Sequence, residues 1–560
     1  MKETLVQVKP KNILYLSPVA TNLDDFLAKA ARVPAAAVKQ RMGHQVVSVG
    51  ELDLIFHPVS LPDEAINLLA REYFNFLIID LRCSDDRRCR EVWQAGRDLL
   101  EYLDKERDPD YRYNFSRIIM FLGCPEAGLV HRQIFFAGQL NIGGCFTDRN
   151  PDWEGELAQC GGDHNFAEEF IAEIQKVLSS PRRGKKALTC GGGGFSGIYY
   201  ELGVLKCLED CFTNFSINDF DMYLGNSSGA LVTGFLANGF TIDAIIDLFR
   251  TRSPLGLRDL FGFFKPSYLN LTGYISKGFN LAERSLVNLL AALRGKDGME
   301  FRNALFNPLD LLSPILNGRT IERIIRELFT TNGHTNDFRR LKRKLFIGAS
   351  DQDSRGHIHF GDTNHDQVPI SQAIQAAIAL PPFWESVQIG QRFYEDGLIT
   401  RSTNVGKAIS EDAKLVLVLE PFIPFYSKTP GFNRSKGVLF QGLQAVKTLN
   451  FTRLFLTGRE LTRQYPNVNV HVFFPRNSMR LRMSNSLWDP RHFESIFQGA
   501  YFSTAWRLEK MEGRIKGALA SHGINLDLAK ARDLKERVIG VVPKSFFEHL
   551  EDRDQLKSMR

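Results

Sequence analysis

Three short glycine-containing segments carry the residues whose types could do chemistry. They are residues 191–197 (GGGGFSG), residues 225–229 (GNSSG) and residues 394–398 (YEDGL). The second matches the pattern G-x-S-x-G, in which small neighbours permit a sharp turn that exposes the serine hydroxyl. The third places an aspartate at the end of a predicted strand, followed by glycine, and a carboxylate held near a serine can act as its general base. The spacing therefore favours nucleophilic chemistry by a serine.

The first glycine segment follows the apolar run Ala187–Cys190 and opens an amphipathic helix. Glycines at such a place let the backbone turn sharply and direct N–H groups at an anion or a developing oxyanion. The spacing of Gly192, Gly194 and Gly197 also satisfies the G-x-G-x-x-G pattern of dinucleotide-binding proteins. Dinucleotide binding would require an acidic residue at the end of the next strand. That strand instead ends in the serine turn, so we keep dinucleotide binding only as the disfavoured alternative.

The elements around the serine predict a strand, a sharp turn and a helix. The apolar run Met222–Leu224 precedes the turn, and a helix of small residues follows it over residues 230–237, with Gly239 placed as its C-cap. This is the context of a nucleophile elbow.

Short apolar runs alternate with amphipathic stretches along the whole chain, which is typical of α/β proteins. The polar, basic residues 181–186 have the composition of a linker. We expect residues 1–180 to form an accessory α/β domain of unknown role, with a small parallel, Rossmann- or flavodoxin-like sheet. Residues 187–535 should form a second α/β domain, and the charged residues 536–560 a C-terminal helix or tail.

The three segments, in this order, resemble the patatin-like phospholipase family. The flanks agree: residues 202–209 (LGVLKCLE) look like the family's first helix, and Ser371–Phe383 looks like the helix and proline turn before the aspartate. The resemblance covers about residues 187–425. It implies a three-layer α/β hydrolase domain, and the segment at about residues 254–337 reads as a helical insertion.

Carried over by position, the resemblance implies Ser227 as the nucleophile and Asp396 as the general base of a dyad without histidine. Gly193 and Gly194 would supply the N–H groups of an oxyanion hole. The remaining motif glycines are Gly192, Gly197, Gly225, Gly229 and Gly397. The implied reaction hydrolyses a carboxylic ester of a phospholipid, lysophospholipid or other acyl lipid through an acyl-enzyme. No metal or organic cofactor is expected, because serine, carboxylate and backbone amides suffice.

Two positions depart from the family pattern. Ser196 stands where the family usually has Arg or Lys, and Leu398 stands where Gly or Ala is usual. The missing cation would weaken the electrostatic stabilisation of a head group or an oxyanion, and the bulkier Leu398 would reshape the loop of the base. They motivate the alternative of a catalytically weak protein that senses lipid or acts as a scaffold.

Several other residues leave alternatives open. A Ser–Asp–His triad is the alternative to the dyad, since His471, His492, His522 and His549 all follow Asp396. The alternating pair His357 and His359 is expected to lie exposed on a hairpin, with a metal site as the alternative. Asp80 is expected to be an ordinary strand-end residue, with a phosphorylatable aspartate as the alternative.

Two further segments have both a packing and a lipid-binding interpretation. The aromatic residues 421–426 (PFIPFY) are expected to form a packed crossover, with an exposed interfacial loop as the alternative. The basic residues 339–344 are expected to form a solvated helix end, with a contact to anionic lipid head groups as the alternative.

Composition excludes several classes of protein. The 560 residues are 44% hydrophobic and 24% charged, which is a globular composition for two or three domains. The net charge of +6 gives no indication of nucleic-acid binding. No run of ~18 apolar residues predicts a transmembrane helix, and no signal peptide is evident. The eight cysteines lack a C-x-x-C pair and are interpreted as reduced thiols of a cytoplasmic protein.

The expected partner is therefore a lipid or membrane-surface substrate, with peripheral membrane attachment left open. The role of residues 1–180 in binding a partner protein or in dimerisation is also left open.

Overall fold

A computed structural model gives the fold as two β-sheets, each covered by helices. It describes residues 9–41, 43–105, 115–123, 127–140, 142–147, 165–179, 184–250, 316–465, 468–485 and 492–539. Most of the predicted insertion at about residues 254–337 and the tail beyond residue 539 lie outside the described residues.

The first sheet has seven strands in the order β2-β3-β4-β1-β5-β6-β7. The strands are β1 (Lys9–Leu16), β2 (Ala36–Arg41), β3 (His44–Val49), β4 (Leu52–Val59), β5 (Phe76–Asp80), β6 (Ile118–Leu122) and β7 (Gly144–Thr147). The helices are α1 (Asn22–Ala30), α2 (Pro62–Arg71), α3 (Asp86–Lys105), α4 (Ala127–Leu140) and α5 (Phe166–Ser179).

This sheet confirms the α/β class expected for the N-terminal part. Strands β4, β1, β5, β6 and β7 run parallel, as expected, whereas β2 and β3 form an antiparallel edge; the sequence analysis did not find β2 and expected a parallel sheet. The reason is that β2 reads AAVKQR and exposes most of its side chains, so it contains no apolar run to detect.

The second sheet has the order β12-β13-β10-β9-β8-β14-β15, with β11 paired to β10 beside this path. The strands are β8 (Lys185–Cys190), β9 (Met222–Asn226), β10 (Lys344–Asp351), β11 (His357–Phe360), β12 (Val387–Ile389), β13 (Arg392–Asp396), β14 (Ala413–Leu419) and β15 (Asn469–Phe473). The central strands are parallel, and β13 is antiparallel to both β10 and β12.

The helices around the second sheet are α6 (Gly194–Cys211), α7 (Ser228–Ala237), α8 (Ile242–Arg250), α9 (Arg319–Phe329), α10 (Ile370–Ala377), α11 (Val405–Ser410), α12 (Val438–Gln464), α13 (Asn477–Asn485), α14 (Phe493–Lys510), α15 (Glu512–Ala520) and α16 (Ala529–Ile539).

Strand alternation divides this sheet's apolar side chains between two cores. Leu188 and Cys190 of β8 belong to the larger core, with α6, α7, α10 and α14. Ala187 belongs to the smaller core, on the side of α11 and α12. Because successive strand residues point to opposite faces, the sheet is buried on both sides, as a mainly parallel sheet requires. The expected three-layer α/β architecture is confirmed.

The two sheets are joined through α2, α15 and the start of β15. The guanidinium of Arg117 donates to the Tyr73 hydroxyl and to Asn469 Oδ1, at 2.7 Å each. A side chain at Gly517 would run into the Tyr73 ring, so the absence of one permits the close approach of α15. We propose that the linker lies between α5, which ends at Ser179, and β8; the predicted segment 181–186 extends too far, because Lys185 and Lys186 are the first residues of β8 and pair with β14.

Two features of the first sheet bear on the sequence analysis. Asp80 is fully buried, and its carboxylate accepts hydrogen bonds from Arg82, Asn22 and the Tyr15 hydroxyl. This environment favours the ordinary structural role over phosphorylation. Cys83 and Cys89 form a disulfide, so the expectation that all eight cysteines are reduced is wrong for this pair.

Candidate active site

The serine turn joins β9 to α7 and places Ser227 in a backbone conformation that residues other than glycine seldom adopt. Its φ is 49° and its ψ is −131°. A strained non-glycine residue of this kind costs about 1–3 kcal/mol and persists only where its surroundings enforce it. Gly225 and Gly229 provide that enforcement, because a Cβ at either position would meet backbone atoms of α7 or the carbonyl oxygens of Cys190 and Gly191.

The side chains of Ser227 and Asp396 are in direct contact. The Ser227 hydroxyl donates to Asp396 Oδ2 at 2.6 Å, and the Leu398 N–H donates to Oδ1 at 2.9 Å. The sheet register brings them together: β9 pairs with β10 through Asn226 and Gly348, and β10 pairs with β13 through Ala349 and Asp396. Two residues far apart in sequence therefore meet at one edge of the sheet.

Burial sets the protonation behaviour of Asp396. Its side chain is fully buried, and this desolvation raises the pKa of the carboxyl from 3.8 to about 7. The hydrogen bonds from Ser227 and Leu398 act in the opposite direction, because they stabilise the carboxylate. The group is thus half ionised near neutral pH, where a carboxylate can both accept and return a proton.

The glycine segment lies against the serine turn. The Gly229 N–H donates to the Gly191 carbonyl at 2.8 Å, and a Cβ at Gly192 would lie 2.8 Å from the Cβ of Ser227. Gly193 (φ +151°) and Gly194 (φ +61°) adopt left-handed backbone conformations that favour glycine. Because α6 begins at Gly194, the N–H groups of its first turn have no acceptor within the helix and can serve an anion.

A mainly apolar cavity of about 50 Å³ contains both reactive side chains. Gly193 and Gly194 lie in its wall, together with Ser227 and Asp396. The remaining wall consists of Phe195, Ile198, Ser228, Leu231, Ile321, Ile374, Ile378, Leu380, Trp384, Leu398 and Phe422. Ile321 of α9 belongs to the described end of the predicted insertion, so this part of the insertion does reach the site.

Both departures from the family pattern have a defined place here. The single proton of the buried Ser196 hydroxyl is shared between the Gly193 carbonyl at 3.1 Å and the Met483 carbonyl at 3.3 Å, and this contact stabilises the glycine loop. Leu398 lies against Gly192 and contributes to the cavity wall.

Sequence reasoning missed Arg453, which comes from α12. Its guanidinium donates to the backbone carbonyls of Leu398 and Ile399, which lie two and three residues after Asp396. It also missed the fully buried Glu420, whose pKa is raised to about 8 by desolvation and whose Oε1 accepts from the Phe422 N–H at 3.1 Å. No local motif marks either residue, since both act through contacts between distant parts of the chain.

The described histidines lie elsewhere. None of them lines the cavity of Ser227. His357 and His359 are not exposed as expected: both Nε2 atoms contact Asn404 Oδ1 at 3.2 Å, and Asn404 donates to Asn226 Oδ1 at 2.7 Å. This pair therefore supports the residue before the nucleophile. No group of three metal-ligating side chains occurs among the described residues.

The other histidine candidates lie at the junction of the sheets or outside the description. His522 Nε2 contacts Asn469 at 2.9 Å, and His471 lines a separate cavity. His492 directly precedes α14, and His549 lies outside the described residues. Burial lowers the pKa of His357 to about 3 and that of His359 to about 4, so both are neutral near pH 7.

The two segments with a lipid-binding alternative, residues 421–426 and the basic residues 339–344, both make contacts within the protein. Phe422 is 2% exposed, and the N–H of Phe425 donates to Gln444 at 2.8 Å, so residues 421–426 form the packed crossover. In the basic run, Arg339 pairs with Asp337 at 2.8 Å and Lys344 with Glu411 at 2.6 Å.

The fold and the geometry define a three-layer α/β protein with a serine–aspartate pair beside a helix N-terminus. Residues 188–409 match a family model described as patatin-like phospholipase. This part of the chain is a patatin-like phospholipase domain. The resemblance inferred from the three motifs is thereby confirmed.

Solved structures similar to the chain include VipD from Legionella pneumophila, with 14% identity over 67% of this chain and 81% of that chain, at a TM-score of 0.24. ExoU of Pseudomonas aeruginosa, solved in complex with SpcU, has 15% identity over 60% of each chain, also at 0.24. A second structure of the type III effector ExoU has 14% identity over 64% of each chain and a TM-score of 0.24. No curated protein matches the chain. Within the described residues, no helix is long and apolar enough to cross a membrane.

Proposed function

We propose that the protein is a serine lipid acyl hydrolase in which Ser227 is the nucleophile and Asp396 the general base. The observation that carries this proposal is the 2.6 Å hydrogen bond between the two side chains inside an apolar cavity. The family of residues 188–409 supports a lipid ester as the substrate. An acyl chain suits a wall made mainly of isoleucine, leucine and aromatic side chains.

In the first half of the reaction, Asp396 accepts the proton of the Ser227 hydroxyl while Oγ attacks the carbonyl carbon of the ester. The negative charge that develops on the carbonyl oxygen is stabilised by the N–H groups of Gly193 and Gly194. The tetrahedral species then expels the alcohol part of the lipid, which takes the proton from Asp396. The acyl group remains on Ser227 as an ester.

In the second half, water replaces the alcohol. Asp396 accepts a proton from the attacking water, and the same N–H groups stabilise the second tetrahedral species. Collapse of this species releases the fatty acid and returns the proton to Ser227 Oγ. A base with a pKa of about 7 suits both halves, because it must accept a proton and return it within one turnover.

The first test is covalent labelling of the full-length chain with a fluorophosphonate probe, followed by peptide mapping. We expect labelling of Ser227 in the wild type and in Ser410→Ala, an exposed serine on α11, but no labelling of Ser227→Ala. Folded wild-type protein that is not labelled would contradict the enzyme and favour the lipid-sensing alternative.

The second test is fatty acid release from phospholipid, lysophospholipid and triacylglycerol, measured with the same three proteins. We expect release from at least one of these lipids by the wild type and by Ser410→Ala. Equal release by Ser227→Ala would contradict the assignment of the nucleophile.

A further inference from the structure

A second cavity, of about 160 Å³, lies at the junction of the two sheets and shares no residue with the cavity of Ser227. Its walls come from α2 and the turn that follows it, from α12, β15 and α15. The apolar part of the wall includes Leu69, Leu454, Val470, Met511, Ile515 and Ala518. The cavity is therefore bounded by both parts of the chain.

One end of this junction cavity is cationic. Arg117 and Arg514 both line it. The Arg117 side chain is 8% exposed, and its two hydrogen-bond acceptors, the Tyr73 hydroxyl and Asn469 Oδ1, are neutral. Among the described residues, no carboxylate lies within ion-pair distance of Arg117. A buried guanidinium without a counter-anion is costly, so an anion placed beside it would be stabilised.

Two further groups define the electrostatics at this end. His471 Nε2 is buried without a hydrogen-bond partner among the described residues. Burial and the charges of Arg514 and Arg117 lower the pKa of His471 to about 4, so the imidazole is neutral. Glu72 is the carboxylate among the residues that line the cavity, and it is exposed to solvent.

We propose that the junction cavity binds a fatty acid anion, with its carboxylate beside Arg117 and its chain along α12, β15 and α15. The inference rests on this cavity alone and does not depend on the proposed function. A mainly apolar wall of leucine, valine, isoleucine and phenylalanine side chains suits a single acyl chain, and octanoate is the probe for it.

Calorimetric titration of the full-length chain with octanoate tests the charged end. We expect one site, with Kd raised at least tenfold in Arg117→Gln and unchanged in the control Arg323→Gln, an exposed arginine on α9. Octanol should bind at least tenfold more weakly than octanoate to the wild type. Equal binding of octanol, or equal Kd for Arg117→Gln and wild type, would overturn the proposal.

The apolar end is tested by chain length and by filling the cavity. Each added methylene from six to eight carbons should lower Kd about fourfold, as burial of one CH₂ group predicts. Ala518→Phe, in the wall, should abolish binding. Binding that survives both Ala518→Phe and Arg117→Gln belongs to the cavity of Ser227 and would also overturn the proposal. The chain-length and head-group series use wild-type protein, so they remain decisive if a variant fails to fold.

A different observation concerns the outer face of α12. Val438, Leu439, Val446, Leu449 and Leu456 are 43–88% exposed. From residue 438 to residue 457, every exposed residue of the helix is uncharged. Surface helices normally carry charged residues on the face that meets water. An apolar exposed face of this length indicates an interaction surface.

Basic residues precede this face. Lys428 and Arg434 are exposed and Lys436 is half-buried, and none of the three forms an ion pair within the described part of the chain. Cations at one end of an uncharged apolar helix face complement an anionic lipid surface.

We infer that the outer face of α12 docks on an anionic membrane surface. This inference rests on the proposed function for the reason to approach a membrane. The same helix supplies Arg453, which donates to the carbonyls of Leu398 and Ile399, so docking would place the membrane on the opposite side of α12 from the Asp396 loop.

Sedimentation with vesicles of phosphatidylcholine, with and without phosphatidylserine, tests this surface. We expect the full-length chain to bind the anionic vesicles, the pair Leu449→Glu and Leu456→Glu to lose at least tenfold in affinity, and the control Leu61→Glu to bind normally. Labelling of Ser227 by a short fluorophosphonate should be equal in all three proteins, which separates this inference from the proposed function. Unchanged vesicle binding by the double variant, or a wild-type dimer that this variant dissociates, would overturn the inference.

Discussion

Replacing Asp396 by Asn tests the reasoning about this carboxyl most directly, because it should change activity and stability in opposite directions. Asn is nearly isosteric with Asp. Its Oδ1 can still accept from the Leu398 N–H, and its amide can donate to Ser227 Oγ. The variant keeps the shape of the site and loses only the titratable group.

The stability change follows from the pKa. Burial raises the pKa of Asp396 from 3.8 to about 7, so the folded state binds the proton more tightly than the unfolded state does. The wild type therefore loses stability as the pH rises towards 7, and at pH 8 the ionised carboxylate costs about 4 kcal/mol. Since Asn cannot ionise, the stability of Asp396→Asn relative to wild type should rise by about 3 kcal/mol between pH 5 and pH 8.

The activity change follows from the role of the base. General-base catalysis typically contributes about 10²–10⁴-fold, so ester hydrolysis by Asp396→Asn should fall by that factor. In the wild type, kcat/KM should be half-maximal near pH 7 and about a tenth of its maximum at pH 6, because only the ionised form accepts a proton.

Two assays check these expectations. Chemical unfolding at pH 5 and pH 8, followed by circular dichroism, measures the stability difference, and hydrolysis of a soluble thioester measures kcat/KM. An unfolding free energy that is no higher in the variant than in the wild type at pH 8 would refute the burial argument. Activity within twofold of wild type would refute the role of Asp396 as base.

Three further substitutions test other parts of the site. Gly229→Ala places a methyl group against the carbonyl oxygens of Cys190 and Gly191. We expect the free energy of unfolding to fall by about 1–3 kcal/mol and the labelling of Ser227 to be lost. An unchanged melting temperature would contradict this expectation. Arg453→Met removes the donors to the carbonyls of Leu398 and Ile399. Its kcat should fall at least tenfold while its KM stays within twofold of wild type. Arg453→Lys should recover part of the lost kcat. His471→Ala should keep the rate of hydrolysis within twofold of wild type, because a dyad needs no histidine. Loss of all hydrolysis in this variant would contradict the dyad.

The sequence alone was sufficient to predict the parts of the site that depend on local backbone conformation. Only glycine fits beside the serine turn at Gly225 and Gly229, and the strand–turn–helix pattern around Ser227 can be read without a structure. The strands of the second sheet were largely foreseen, since buried parallel strands appear as apolar runs. The predicted run Ala187–Cys190, for example, lies within β8 (Lys185–Cys190).

Patterns without an apolar run were missed or misread. The antiparallel edge strand β2 is mainly exposed, so its composition resembles a loop. The alternation of His357 and His359 correctly predicted a hairpin strand. Their expected exposure was wrong, because Asn404, more than 40 residues away in sequence, contacts both rings.

What the sequence determined by itself is the identity of the reactive residue types and the local turns that present them. Only the tertiary structure decided that Ser227 and Asp396 lie 2.6 Å apart, that the carboxyl has a pKa of about 7, and that Arg453 supports its loop. The physical reason is that hydrogen bonds and desolvation depend on distance in space. Sheet register and the packing of α12 set those distances, and no single segment contains that information.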